Sequence, residues 1–208
     1  DIETMINLLK SIGSEIKIYN NRKSLSIVNK KKLKYFAPYN LVKTMRAGIL
    51  VLGPMLARFH KAKVSLPGGC SIGTRPIDIH LNCLSKLGVK YKIANGYVYA
   101  SAINGLVGAR IKFPKISVGA TENTLIASCF AKGKTKLRNC AIEPEIIDLI
   151  VFLKKIGAKI NFSGKRGLNI DGVQSLKSTS HKVIFDRIET GTYIIASALT
   201  KGRLKIKN

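Results

Sequence analysis

Three stretches of this 208-residue chain repeat one design. IETMINLLKSIGSEIKI, PIDIHLNCLSKLGVKYKI and EPEIIDLIVFLKKIGAKINF each carry apolar residues at helical spacing, close on a glycine (Gly13, Gly88, Gly157) and run directly into a short alternating segment. A glycine at that place ends a helix because it enters the left-handed region without a Cβ penalty. The switch from a period near four to a period of two marks a helix passing into a strand. The three glycines recur roughly every 70 residues, which points to a repeated supersecondary unit rather than a local motif.

A second element recurs between them. LVKTMRAGILVLGPMLARFHKAKVSLPG, ENTLIASCFAKGKTKLRNC and IETGTYIIASALTKGRLKIKN each read as an apolar, small-residue helix followed by a basic-flanked strand. Apolar residues occupy more than one face of these helices, so they are expected to be largely buried. YKIANGYVYAS adds a hairpin turning at Asn95-Gly96, the pair that favours positive φ at both central positions. The unit is therefore helix, strand, helix, strand and a further hairpin strand. Both ends of the chain fall inside a unit, and the chain starts at Asp1 rather than Met, so it reads as a piece of something longer.

Composition limits what such a repeat can be. Hydrophobic residues make up 46% and Trp is absent, so a real core must be built from Ile, Leu, Val and Ala. The longest apolar run, AGILVLGPMLA, is broken by a proline and is far shorter than the ~20 residues of a membrane helix. The acidic, helix-like start does not read as a signal peptide. A cytoplasmic, reducing compartment is expected, with no membrane partner and no disulfides. Cys70, Cys83, Cys129 and Cys140 show neither CxxC pairs nor histidines at ligand spacing, so no metal and no cofactor is expected. Cys83 and Cys129 sit in apolar periodic stretches and read as buried thiols.

The net charge is +25. Apart from NKKKLK at 29–34 the lysines are scattered, and no basic stretch is interleaved with stacking aromatics, which argues against nucleic acid as the main partner. An anionic small molecule is the better use of selected arginines. KVSLPGGCSIGTRPID places Cys70 in a proline–glycine loop five residues before Arg75. Read by itself that residue is a structural loop cysteine or a reactive thiol near a cation. His60, His80 and His181 form no constellation with it and read as structural or solvent-facing.

KTMRAGILVLGPMLARF followed by KVSLPGGCSIGTRPIDIHL resembles the UDP-N-acetylglucosamine enolpyruvyl transferases. The similarity continues through GYVYA, KISVGATENTL, NCAIEPEIIDL, LKKIGAKI and FDRIETGTYIIASALTKG, and covers essentially the whole chain. The resemblance implies an α/β (α+β) fold: an inverse α/β barrel of the enolpyruvyl transferase type, built from repeated βαβαββ units and truncated here at both ends. It implies that residues 1–184 are most of one three-unit domain and 185–208 the start of a second. Family members are about twice this length. A lysine–asparagine pair at the front is expected to be missing, together with most of the second domain, its catalytic base and a further arginine.

The implied reaction transfers the enolpyruvyl group of phosphoenolpyruvate to the 3-hydroxyl of UDP-N-acetylglucosamine and releases phosphate, the first committed step of peptidoglycan synthesis. Cys70 matches the general acid and the target of fosfomycin. Proton donation needs the thiol, so activity is expected to fall as pH rises through its pKa. Arg46 and Arg75 match arginines that meet the substrates' anionic groups. Arg46 lies early in an apolar helix, where an idle charge would be costly. Pro76, Ile77, Asp78 and Ile79 match the segment that cradles the uridine end, and Lys115, Ile116, Ser117 and Val118 a second nucleotide-sugar contact. Asp78 alone could be a helix-start acid and Lys115 a surface lysine. Glu143, Asp186 and Arg187 fall in motifs near the cleft, with a helix-start acid and a structural ion pair as the plain readings.

Three other expectations stand beside this one. A truncated remnant, or half of a split enzyme needing its other half in cis or in trans, would bind nucleotide sugar without turnover. The shikimate-pathway enolpyruvyl transferase shares the fold but lacks the cysteine loop. A basic nucleic-acid binder would show steep salt dependence.

Overall fold

The computed structural model describes residues 1–29, 32–68 and 76–207. The chain divides into two units, Asp1–Lys177 and Ser178–Asn208.

The larger unit opens with α1 (Ile2–Ile12), whose face of Ile6, Leu8 and Ile12 is buried, and Gly13 ends it at φ 113°. Strands β1 (Ser14–Tyr19) and β2 (Ser24–Asn29) follow as an antiparallel pair. Next come β3 (Phe36–Ala37), the short α2 (Tyr39–Val42), a 3₁₀ helix (Arg46–Val51), α3 (Leu52–Phe59) and β4 (Lys61–Ser65). Helix α4 (Asp78–Lys86) leads into the hairpin β5 (Lys90–Ala94) and β6 (Tyr97–Ser101). These strands make one sheet in the order β3-β4-β6-β5, with β3 parallel to β4 and the other pairs antiparallel. The same plan recurs in β7 (Arg110–Lys112), α5 (Val118–Ser128), β8 (Lys134–Arg138), α6 (Pro144–Lys155), β9 (Lys159–Phe162) and β10 (Gly167–Asp171), whose sheet order is β7-β8-β10-β9. Two complete βαβαββ units are thus present, and α1-β1-β2 repeats the closing α-β-β of each.

Local chemistry accounts for much of this. Gly13, Gly88 and Gly157 all take positive φ, as their repeated position requires. Asn95 and Gly96 at φ 50° and 74° form the tight hairpin that joins Ala94 to its partner Tyr97. The helices bury one continuous core with the inner sheet faces; Leu52, Leu56, Leu84, Leu125, Leu137 and Ile146 are fully enclosed.

Three expectations need correction. The run from Leu41 to Phe59 is not one helix: it breaks after Val42, tightens into the 3₁₀ segment and restarts at Leu52. Packing around the break is tight: a Cβ on Gly48 would lie 3.0 Å from Val42 Cγ1 and one on Gly53 only 2.5 Å from the carbonyl oxygen of Asn123. The third apolar helix, α7 (Arg187–Leu199) in the smaller unit, has no buried residue, and among the described residues of that unit there is no strand. The segment after it, 202–207, forms no strand; without a neighbour to accept its hydrogen bonds an extended segment has no ladder to join.

Candidate active site

Three of the segments singled out by sequence converge on one imidazole. His80 lies in the first turn of α4 and is buried. Its Nδ1 is 2.9 Å from Nδ2 of Asn123, a fully buried residue of α5. The same amide donates to the Ile49 carbonyl at 3.1 Å, and its Oδ1 accepts from the Gly53 N–H at 2.8 Å. Because Nδ2 is the donor, His80 Nδ1 must accept, which leaves the ring proton on Nε2. Gly119 packs so closely that a Cβ there would stand 3.2 Å from the ring's Cε1 and 3.4 Å from its Nε2.

The ring is held neutral. The His80 pKa lies at about 4, down from 6.5: burial lowers it most, the Arg46 guanidinium adds to that, and the Asp78 carboxylate opposes both. Arg46 and Asp78, distant in sequence, therefore act on the same side chain. Arg46 is exposed at the first position of the 3₁₀ helix. The expectation that it sits inside an apolar helix, with a desolvation cost that demands a ligand, is corrected: a solvated guanidinium carries no such penalty.

Pro76 and Asp78 are exposed, whereas Ile77 and Ile79 turn into the core and fix the start of α4. The 115–118 segment enters α5. Lys115 and Ile116 are exposed, and Ser117 caps the helix by accepting from the Ala120 N–H at 3.3 Å. Ser117 is half-buried at this helix start. Val118 packs against the core. This helix start offers backbone N–H groups and the positive end of its dipole beside Lys115.

Glu143 stands at the N-cap of α6 without a capping bond, and its Oε2 is enclosed with no hydrogen-bond partner among the described residues. In the smaller unit, Asp186 Oδ1 caps α7, accepting from the N–H groups of Ile188 at 2.8 Å and Glu189 at 3.2 Å; Arg187 begins that helix. Cys70 and Arg75 lie outside the described residues. Gly68, on the near side of that stretch, lies against the backbone, since a Cβ there would come 2.1 Å from the Lys43 carbonyl oxygen. Among the described residues no group of three or more His, Cys, Asp and Glu could hold a metal ion, and no helix is long and apolar enough to cross a membrane.

Asn123 and His80 are the positioning residues that sequence reasoning missed. The available signal was a set of polar residues, Thr121, Asn123, Thr124 and Ser128, inside a helix otherwise built for burial.

Comparison with known proteins agrees with this architecture. The EPSP synthase (3-phosphoshikimate 1-carboxyvinyltransferase) family matches residues 1–208. A UDP-N-acetylglucosamine 1-carboxyvinyltransferase of Pelagibacter ubique (strain HTCC1062) is 66% identical over 206 residues, covering 99% of this chain and 49% of that protein. One from Endomicrobium trichonymphae is 50% identical over 208 residues, covering 100% of this chain and 49% of its own length. The chain thus spans about half the length of the curated relatives it matches. Among solved structures, the enolpyruvyl transferase NikO from Streptomyces tendae superposes with a TM-score of 0.78 at 20% identity, covering 94% of this chain and 47% of that one. EPSP synthase from Acinetobacter baumannii gives 0.68 at 19%, covering 95% and 44%. At such identities these two matches speak for the fold alone.

Proposed function

As a chain that belongs to the EPSP synthase (3-phosphoshikimate 1-carboxyvinyltransferase) family, this protein carries, we propose, one substrate-binding side of an enolpyruvyl transferase acting on phosphoenolpyruvate and UDP-N-acetylglucosamine. The observation that carries this reading is 66% identity, over almost the whole chain, to a relative named for that reaction. In the transfer, the sugar 3-hydroxyl oxygen bonds to C2 of phosphoenolpyruvate, the C2–O bond to phosphate breaks, and inorganic phosphate leaves. A proton is lent to the methylene carbon and removed again as the double bond re-forms.

Cys70 is the proposed donor of that proton. Arg46 and Arg75 meet the phosphate and carboxylate charges, where planar guanidinium forks suit oxyanions. The 76–79 segment and the 115–118 segment hold the nucleotide end, with the Ser117 hydroxyl and the α5 N-terminus facing the diphosphate. Glu143 on the larger unit and Asp186 and Arg187 on the smaller are further candidates for substrate contact. The His80–Asn123 pair supports this reading by tying the Arg46, Asp78 and Gly119 segments to one buried point. We place 1–184 in one domain and 185–208 at the opening of a second, the rest of the catalytic machinery being supplied in cis or in trans, in the cytoplasm.

The test is phosphate release from phosphoenolpyruvate with the other half of the enzyme present. Release that depends on UDP-N-acetylglucosamine and is lost in Cys70→Ala supports the reading. Release that depends on shikimate 3-phosphate instead overturns the substrate assignment, and equal turnover by Cys70→Ala overturns the role of the thiol.

A further inference from the structure

A second place on the larger unit is built for an anion. Where β7 and β8 end and the β9–β10 hairpin turns, a basin of about 920 Å³ opens, lined by Lys112, Arg138, Lys165 and Arg166 and by no acidic residue. A volume of that size suits a small-molecule ligand of nucleotide scale.

The cations are not placed as a folding sequence alone would place them. Lys112 pairs with Arg138 across the parallel β7–β8 ladder, and Arg110 with Lys136 two residues earlier. Like charges directly opposite one another cost stability. The ion pairs of Arg22 with Glu3 and of Lys134 with Asp171 leave these basin cations out.

The two guanidinium groups are also held in place. Arg138 Nη1 donates to the carbonyls of Leu137 at 3.3 Å and Ser163 at 3.5 Å, and Arg166 Nη1 donates to the Cys140 carbonyl at 3.2 Å. Gly167 makes room for this: a Cβ there would fall 2.5 Å from Arg138 Nη1 and 2.2 Å from the Ser163 carbonyl oxygen. Asn139, at φ 57°, fixes the adjoining wall by donating to the Phe113 carbonyl at 2.9 Å. Each fork, anchored through one nitrogen, keeps its remaining donors for a ligand, so little ordering cost is left for binding.

We propose that this basin binds the polyphosphate group of a phosphorylated small molecule, independently of the transfer reaction above. Two anchored guanidinium groups grip oxygens on adjacent phosphoryl groups, and the ammonium groups of Lys112 and Lys165, both on exposed side chains, neutralise the rest of the charge.

Titration calorimetry of the full chain with inorganic pyrophosphate tests it. Saturable binding is expected, and Lys112→Gln with Lys165→Gln should weaken it about ten-fold by removing two charges from the basin. Because those lysines are exposed, the double variant keeps the fold. Lys17→Gln with Lys23→Gln removes the same charge from the β1–β2 hairpin and should change affinity by less than about two-fold. Arg138→Lys with Arg166→Lys keeps the charge but not the forks and should still lose several-fold. A parallel titration with adenosine triphosphate distinguishes the source: equal affinity marks a site for phosphate groups alone, and tighter binding marks a nucleotide. Absence of saturable binding, or equal weakening by the basin and hairpin variants, overturns the proposal.

Discussion

The amide of Asn123 and the imidazole of His80 meet at 2.9 Å inside the larger unit, and three chain segments hang on that contact. Asn123→Ala would leave the Gly53 N–H and His80 Nδ1 without this partner in a buried place, while the Ile49 carbonyl would keep the Leu52 N–H. Each stranded group costs about 1–3 kcal/mol, so a loss of about 2 kcal/mol or more is expected. Urea unfolding followed by circular dichroism measures it; a loss below about 1 kcal/mol would mean that water or a shift of α5 replaces the amide.

His80 makes stability depend on pH. Its folded pKa is about 4 and its ordinary value 6.5, so between those values the unfolded chain binds more protons than the folded one. Stability therefore rises with pH across that window, is fully present above 6.5 and is lost as pH falls toward 4. From pH 7 to pH 5 this one group should remove about 2 kcal/mol. Unfolding curves of the wild type and of His80→Gln at both pH values isolate it. The same pH dependence in both proteins would assign the effect to other groups.

Two glycines grade the tightness of the same hub. Gly53→Ala drives a Cβ to 2.5 Å from the Asn123 carbonyl oxygen and 2.9 Å from its Oδ1, contacts that backbone cannot easily relieve. A destabilisation of about 2–3 kcal/mol is expected. Gly119→Ala meets the His80 ring at 3.2 Å, where a small ring movement suffices, and should cost about 1 kcal/mol or less. Thermal melts of the two variants give the order, and a reversed order would place the rigid contact at the ring instead.

What the sequence revealed and what it hid follow from distance along the chain. The three left-handed glycines and the Asn95-Gly96 hairpin were legible because each is a local backbone requirement. The repeat made the two complete units legible for the same reason. The His80–Asn123 contact joins residues 43 positions apart and left no local mark. Breaking of the 41–59 run was hidden because the packing around it, such as Gly53 against Asn123, is tertiary.

The exposed face of the β3-β4-β6-β5 sheet is a further case. No stretch of sequence interleaves cations with aromatics, yet across the strands Lys63 Nζ lies 5.1, 4.8 and 5.2 Å from the rings of Phe36, Tyr97 and Tyr99, and Lys61 Nζ 4.3 Å from that of Tyr35. Much of the lysine excess on this sheet is thus housed over its own aromatic rings. Within the candidate site, Asp78 and Lys115 lie exposed at the starts of α4 and the α5 approach, whereas Arg46 has a different setting from the one its apolar neighbours suggested.

The cysteines give the most direct check on the chemistry. Burial pushes the thiol of Cys83 up to about 11 and those of Cys129 and Cys140 up to about 12. At pH 7.5 well under one in a thousand of each is the reactive thiolate, and all three side chains are enclosed, so both the nucleophile and its access are denied. Cys70 remains. Brief treatment of the native protein with excess iodoacetamide should therefore add one carbamidomethyl group by intact mass, located on the 63–78 stretch by peptide mapping and absent from Cys70→Ser. In denaturant all four cysteines should react. A second adduct on the native protein would show that the core around α4, α5 and β8 opens on the time scale of labelling. One adduct on a cysteine other than Cys70 would remove the premise that the loop thiol is the one poised to react.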